Sequence, residues 1–242
     1  MKIYDCVQGS PEWHKLRCGV PSASNFDRIV TPKTGQLSKG ADDYICELIA
    51  GRNADSWPES YVSPAMQNGI DMEPEARAWF AMNTDCEVRK VGWCTTDDGL
   101  LGCSPDGLIA DSKGVRGGLE IKYPTPKIHV KYMLSGEMPA EYKPQVYGSL
   151  VVCDLEFWTF LSYSTQYRPL IYIVIHDDYA KKVRDALAEF KSLYQLALAK
   201  FEKVNSAVVC NFVILGERNE GTDHTSGHDA ISGITVDAAG QG

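Results

Sequence analysis

The stretch from Gly102 to Pro124 reads "GCSPDGLIADSKGVRGGLEIKYP" and holds an aspartate, a glutamate and a lysine whose spacing could do chemistry. Asp106 sits in the turn Ser104-Pro105-Asp106-Gly107, and Glu120 and Lys122 lie two residues apart in a run that reads as a strand. Hard divalent cations take oxygen ligands, and Mg2+ typically uses one or two carboxylates beside water and phosphate oxygens. Asp106, Glu120 and the carbonyl of Ile121 are such oxygens. Lys122 could hold an attacking water or stabilise charge on a phosphorane-like transition state. A bound metal lowers the pKa of water, so hydroxide becomes available near neutral pH. The set therefore suits metal-dependent cleavage of a phosphodiester. A plainer reading competes with it. Side chains alternate along a strand, so Leu119, Ile121 and Tyr123 share one face and Glu120 and Lys122 the other. On that reading the segment is a half-buried strand with a Glu–Lys pair on a polar outer face. The chemical reading requires Asp106 and further acids to converge on the same place.

The elements that must position these residues can be read from period and punctuation. Ser10-Pro11-Glu12 marks a helix start carrying Trp13 and Leu16 and stopping near Gly19. "PSASNFDRIV" opens another helix with Ser22 or Ser24 near its N-terminus, and "GADDYICELIAG" is a third. Ser63-Pro64 opens a longer one through Glu73, Ala76, Trp79 and Phe80. The period then changes. "EVRKVGWCTT" and "LLGCSPDGLIA" read as two strands joined by the turn Asp97-Asp98-Gly99, followed by the strand "GGLEIKY". Helices are expected around Lys127–Leu134 and Tyr142–Cys153, then a strand pair in "FWTFLSYS" and "PLIYIVIH". From Asp178 to Val204 a long helix sets Val183, Leu187, Phe190, Tyr194, Ala197 and Phe201 at helical spacing, a stripe for core or subunit interface. The order predicts an α/β domain with a central mixed β-sheet flanked by helices. Residues 1–215 read as a single domain and 216–242 as a Gly/Ser/Asp-rich tail.

Composition narrows the class. With 242 residues, 44% hydrophobic and 23% charged, the chain is ordinary for a globular protein. No apolar run reaches the length of a membrane span, and "MKIYDCVQGSPEW" lacks the hydrophobic core of a signal peptide, which points to the cytoplasm and away from a membrane. The eight cysteines are dispersed with no C-x-x-C pair, so reduced thiols, mostly in the core, are expected rather than zinc or an iron–sulfur cluster. His224 and His228 lie in "GTDHTSGHDA", where nothing predicts the helix that would aim both at one metal. The net charge of −8 weighs mildly against a general nucleic-acid binder, although a carboxylate metal site and local basic patches fit within an acidic whole.

Several motifs carry a resemblance. "SPDG" and "LEIK" match the P-D…(D/E)-x-K signature of restriction-endonuclease-like nucleases. "EWHKLRCGVPSASNFDRIV" resembles the W-H-x-x-R-x-G-x-x-x-A-S motif of lambda exonuclease and the related phage alkaline exonucleases, the YqaJ viral recombinase family. "NGIDMEPEARAWF" resembles that family's G-x-x-x-E-x-x-A-R helix, and "GCSPDGLI", "GLEIKYP" and "YKPQVYGSLVV" follow in the family's order. The resemblance implies a restriction-endonuclease-like core and a Mg2+-dependent 5′-to-3′ double-strand DNA exonuclease, with Mn2+ as substitute metal. Asp106 would share two metal ions; Glu120 and the Ile121 carbonyl would bind the metal of the attacking water. Lys122 would orient that water, Glu73 would complete the acidic cluster, and Gln145 would contact the water or the scissile phosphate. Arg17, Ser24 and Ser104 would form a pocket for the 5′-phosphate, with Lys127 near the place of a further family arginine. Relatives of this kind form homotrimers on duplex DNA ends, act beside a single-strand annealing protein in recombination, and are encoded by phages or their bacterial hosts. Read without the resemblance, Glu73 and Gln145 are helix-surface residues, and Arg17 is equally a cation at a helix C-terminus. Two other functions stand beside the exonuclease: a structure-specific endonuclease, and a catalytically silent DNA-end-binding protein.

Overall fold

The computed structural model of the protein describes residues 1–52 and 62–206. Met1–Asn205 form one compact unit. The tail expected from residue 216, His224, His228 and Cys210 lie outside the described residues. The chain runs through β1 (Lys2–Tyr4), α1 (Pro11–Arg17), a 3₁₀ segment (Ala23–Arg28), α2 (Ala41–Arg52), α3 (Pro64–Thr84), β2 (Glu87–Arg89), β3 (Trp93–Thr95) and β4 (Gly102–Cys103). It continues through β5 (Gly107–Asp111), β6 (Gly114–Lys122), α4 (Pro126–Ser135), a second 3₁₀ turn (Ala140–Tyr142), α5 (Lys143–Cys153), β7 (Phe157–Ser162), β8 (Leu170–Ile175) and α6 (Asp178–Asn205).

The helix starts follow local chemistry. Ser10 Oγ accepts from the Trp13 N–H and Ser63 Oγ from the Met66 N–H, each with a proline in the first turn that needs no helical donor. Beyond α1, Gly19 adopts φ +67°, and its carbonyl accepts from the Tyr194 hydroxyl of α6 at 2.7 Å. Ser22 does stand at the N-terminus of the next segment, but that segment is 3₁₀ and Ser22 makes no side-chain cap there.

Five strands form a mixed sheet in the order β2-β5-β6-β7-β8, in which only β6 and β7 run parallel. That parallel pair needs a crossover, and α4 and α5 supply it. A second sheet has the order β1-β3-β4. This corrects the expectation of two long strands over "EVRKVGWCTT" and "LLGCSPDGLIA", because each run divides between the two sheets. Pro105 has no N–H to give a ladder, and Gly92 packs so closely on the backbone of Cys6 that a Cβ there would lie 2.1 Å from its carbonyl oxygen. The Asp97-Asp98-Gly99 turn is present, joining β3 to β4.

The two faces of the large sheet are covered differently. One packs against α5, α6, α2 and the 3₁₀ segment through Phe26, Leu150, Trp158, Phe160, Leu187 and Phe190. The other packs against α3 through Ala76, Phe80, Leu119, Ile121, Leu161 and Tyr163. Nearly every residue of α5 is buried, and Gly148 has no side chain so that Phe26 can fit; a Cβ there would stand 2.2 Å from its ring. On α6, Val183, Leu187, Phe190 and Tyr194 are buried and Ala197 and Phe201 pack partly against the same core. With both faces covered, residues 117–121 of β6 are buried throughout. Glu120 is only 3% exposed, which overturns the reading of a polar outer face.

Candidate active site

A carboxylate on a strand buried on both faces needs partners, and Glu120 finds them in Lys122 of its own strand and Gln145 of α5. β6 sets Glu120 beside Phe160 and Lys122 beside Ser162 of β7. Asp106 lies between β4 and β5 and is tied to β6 twice. Its N–H donates to the Leu119 carbonyl at 3.0 Å, and its Oδ2 accepts from the Ile121 N–H at 2.6 Å. From α3, Arg77 Nη2 donates to Glu73 Oε1 one turn earlier, while its Nε donates to the Asp106 carbonyl at 2.6 Å. From α5, Gln145 Nε2 donates to Glu120 Oε1 at 2.7 Å, and Lys122 Nζ donates to the same oxygen at 2.6 Å. The Tyr142 ring lies 5.3 Å from that ammonium.

The result is a cleft of about 390 Å³ whose wall holds Glu73, Asp106, Glu120, Ile121 and Lys122. Gln145 does not line it and acts on Glu120 instead. Burial, then the charges of Glu120 and Glu73, push the Asp106 carboxyl well above the ordinary aspartate range. Burial alone would lower the pKa of Lys122, but the Glu120 and Asp106 carboxylates outweigh it and keep the ammonium protonated. The cleft thus crowds three carboxyl groups together, with Glu120 paired to Lys122 and Glu73 to Arg77. Hard oxygen donors under mutual repulsion are the donor set a divalent cation relieves. Among the described residues no three His, Cys, Asp or Glu side chains already form a cage for an ion. Each carboxylate is instead turned onto a protein donor: Arg77, the Ile121 N–H, or Gln145 and Lys122.

Asp106 is separated by Pro105 alone from Ser104, and Ser104 belongs to a second site. Its Oγ accepts from the Trp13 indole N–H at 2.8 Å and from Arg17 Nη1 at 3.5 Å. Arg17 Nη2 donates to Ser22 Oγ at 3.0 Å, which lies 2.8 Å from Ser24 Oγ. The guanidinium stacks on Trp13, 3.9 Å from the ring centre, and lies 5.2 Å from that of Trp93. Burial lowers its pKa to about 10, still well above neutrality. Arg17 and Ser22 open onto a cavity of about 500 Å³ that Asn25 and Arg28 also line. Arg17 is the last residue of α1, so the helix-end reading is compatible, but its donors point to two serines, Ser104 and Ser22, rather than to the helix carbonyls. Lys127 stands exposed in the first turn of α4 and is absent from the lining of that cavity.

Some residues central to both sites were not singled out as site residues from the sequence. Arg77 holds two of the acidic positions, and Ser22 and Trp13 complete the Arg17 pocket. Arg77 had a signal, four residues after Glu73 on one helix face. Ser22 and Trp13 had none beyond lying inside the motif quoted for Arg17.

The sequence matches the model of the YqaJ-like viral recombinase domain over residues 12–156, more than half of the chain. No curated protein matches it significantly. Among solved structures it is similar to LHK-Exo, an alkaline exonuclease from Laribacter hongkongensis, at 25% identity and a TM-score of 0.63, covering 81% of this chain and 100% of that one. The complex of LHK-Exo with dAMP aligns over the same shares at 26% identity. A phage-related exonuclease from Haemophilus somnus shares the fold at 14% identity and a TM-score of 0.51, over 75% of this chain and 96% of that one. The matched span runs from the helix carrying Trp13 and Arg17 to the end of the helix carrying Gln145, so it takes in the cleft and the arginine pocket, and the chain belongs to the YqaJ-like viral recombinase family.

Proposed function

We propose that this protein is a metal-dependent 5′-to-3′ exonuclease on double-stranded DNA that leaves 3′ single-stranded tails for recombination by single-strand annealing. The observation that carries the reading is the meeting of Glu73, Asp106, Glu120 and Lys122, from a helix, a turn and a strand, in one cleft. Membership of a viral recombinase family and the likeness to an alkaline exonuclease support it. Two Mg2+ ions, or Mn2+ in their place, would be held by Asp106, Glu120, Glu73 and the Ile121 carbonyl, where they would polarise the scissile phosphate and acidify water. The protein's own groups do the rest. Lys122 donates to the attacking water or to the developing phosphate charge. Gln145 fixes the orientation of Glu120, and Arg77 fixes Glu73 relative to the Asp106 backbone. Arg17, with Ser22, Ser24 and Ser104, receives the terminal 5′-phosphate, which carries more charge than an internal diester. Pro105 links the two sites at a fixed short distance, so a phosphate held at Ser104 would set which diester reaches Asp106. A homotrimer in the bacterial cytoplasm, working beside an annealing protein, completes the proposal.

The test is a digestion time course on linear duplex DNA with and without a 5′-phosphate, in Mg2+ and in EDTA. The expected result is release of mononucleotides from the phosphorylated end, dependent on metal. Nicking of closed circular DNA would make the protein an endonuclease. Metal-independent binding without cleavage would make it an end-binding protein.

A further inference from the structure

Three thiols meet in the core behind the arginine pocket. Cys94 and Cys103 are cross-strand partners of the β3–β4 pair, and Cys153 closes α5. They are 0%, 1% and 2% exposed, in the same apolar cluster as Leu101, Val146 and Leu150. The Cys103 and Cys153 sulfurs are 3.4 Å apart. A disulfide needs about 2.05 Å, so the two sulfurs have roughly 1.4 Å to close. Nothing in the proposed chemistry uses them. Yet Cys103 directly precedes Ser104 of the arginine pocket, and Cys153 ends the helix whose first turn carries Gln145. The sulfur–sulfur contact joins these two elements at that point without a covalent link.

We propose that Cys103 and Cys153 are an oxidation site, a thiol pair that closes to a disulfide under hydroperoxide and staples β4 to α5. One sulfur attacks the peroxide, the O–O bond breaks, and the displaced oxygen leaves as water with that thiol's proton, giving a sulfenic acid. The second sulfur attacks the first, the S–O bond breaks, and a second water leaves with the second proton. The sulfur pair is oxidised by two electrons and the peroxide is reduced by two. Burial pushes the Cys103 thiol up, so the neutral form prevails in the closed core and the reaction waits on local opening. It is therefore slower than oxidation of Cys46, which is exposed. Cys94 also lies at the cluster, opposite Cys103 on the neighbouring strand of the same sheet, so a bridge between those two would not staple β4 to α5.

The experiment treats the full-length reduced protein with hydrogen peroxide under native conditions. Samples are alkylated at intervals and digested for mass spectrometry. The expected result is oxidation of Cys46, followed by a linked pair of peptides containing Cys103 and Cys153 that dithiothreitol separates. Because the bridge closes a loop of 50 residues, the oxidised protein should also melt roughly 5 °C or more higher. Cys153→Ala should remove both the linked pair and the shift, and Cys103→Ala serves the same purpose if the first variant does not fold. Recovery of Cys103 and Cys153 as free thiols after Cys46 is fully oxidised would overturn the proposal. So would a bridge from Cys103 to Cys94. The readout is thiol chemistry, so it stands whether or not the protein cleaves DNA.

Discussion

In the cleft, three carboxyl groups from α3, the Asp106 turn and β6 crowd together, and burial raises the cost of charging Asp106. Around Arg17 the balance is reversed. One guanidinium is stacked on Trp13 and hydrogen-bonded to Ser22, with Ser104 at the edge of reach, so its charge is oriented and only partly compensated. The comparison separates two ways of using charge. On the proposed reading, the cleft crowds acids that arriving cations would relieve, and the pocket holds one charge in a fixed direction for an anion. The tripeptide Ser104-Pro105-Asp106 joins them, and Pro105 stiffens the link.

The sharpest way to break that contrast is Asp106→Ala. Loss of the most crowded carboxylate should reduce cleavage by about 1,000-fold or more, while duplex binding measured by gel shift in Ca2+ survives. Near-wild-type nucleotide release would place the chemistry elsewhere.

Lys122→Ala comes next. A donor that stabilises transition-state charge is worth about 100- to 1,000-fold in rate, and metal affinity measured by calorimetry should change little. Gln145→Ala, which only releases Glu120, should cost roughly 10- to 100-fold. Equal losses in the two variants would mean that Lys122, too, acts mainly by holding Glu120.

Arg17→Ala tests the other side. A charge-assisted contact contributes roughly 1.5–3 kcal/mol, on the order of 10- to 150-fold. That loss should fall on 5′-phosphorylated ends and spare 5′-hydroxyl ends, so the gap between the substrates shrinks. Both must be compared at one salt concentration, because phosphate contacts weaken with ionic strength. An equal slowing of both substrates would reduce Arg17 to a support for the fold.

The smallest effect lies outside both sites. Asp98, in the β3–β4 turn, accepts from Lys191 Nζ of α6 at 2.7 Å, from the Thr96 hydroxyl and from the Leu100 N–H. Burial would raise its pKa, but these partners outweigh it and hold the pKa at about 2, below the usual 3.8. The folded value is the lower one, so the stabilisation is complete above about pH 4 and is lost as pH falls toward 2. The side chain is 41% exposed, and solvent screening keeps the contribution under about 1 kcal/mol. Asp98→Asn should therefore lower the melting temperature slightly at neutral pH and leave it unchanged near pH 2. A uniform loss at every pH would point to packing instead of charge.

Much of this was legible from residue order. The caps at Ser10 and Ser63, the α6 stripe and the β7–β8 pair follow from local rules, since a proline after a serine or an apolar residue every third or fourth position acts within one turn. The strand runs around Gly92 and Pro105 were misread because hydrophobic period does not tell which sheet a strand joins. Glu73 and Gln145 read as surface residues by their own neighbours, and only a family motif distinguished them.

The sequence by itself determined the chemical inventory: Asp106, Glu120 and Lys122 at hairpin spacing, an arginine closing a helix, and a mixed α/β order. Tertiary structure decided what that inventory faces. The α5 crossover covers β6 and buries Glu120, α3 swings Arg77 onto both Glu73 and the Asp106 backbone, and the fold brings Ser104 to Arg17 across 87 residues of chain. The physical reason is that period and capping are local, whereas burial and the pairing of a charge depend on which distant segment packs against it.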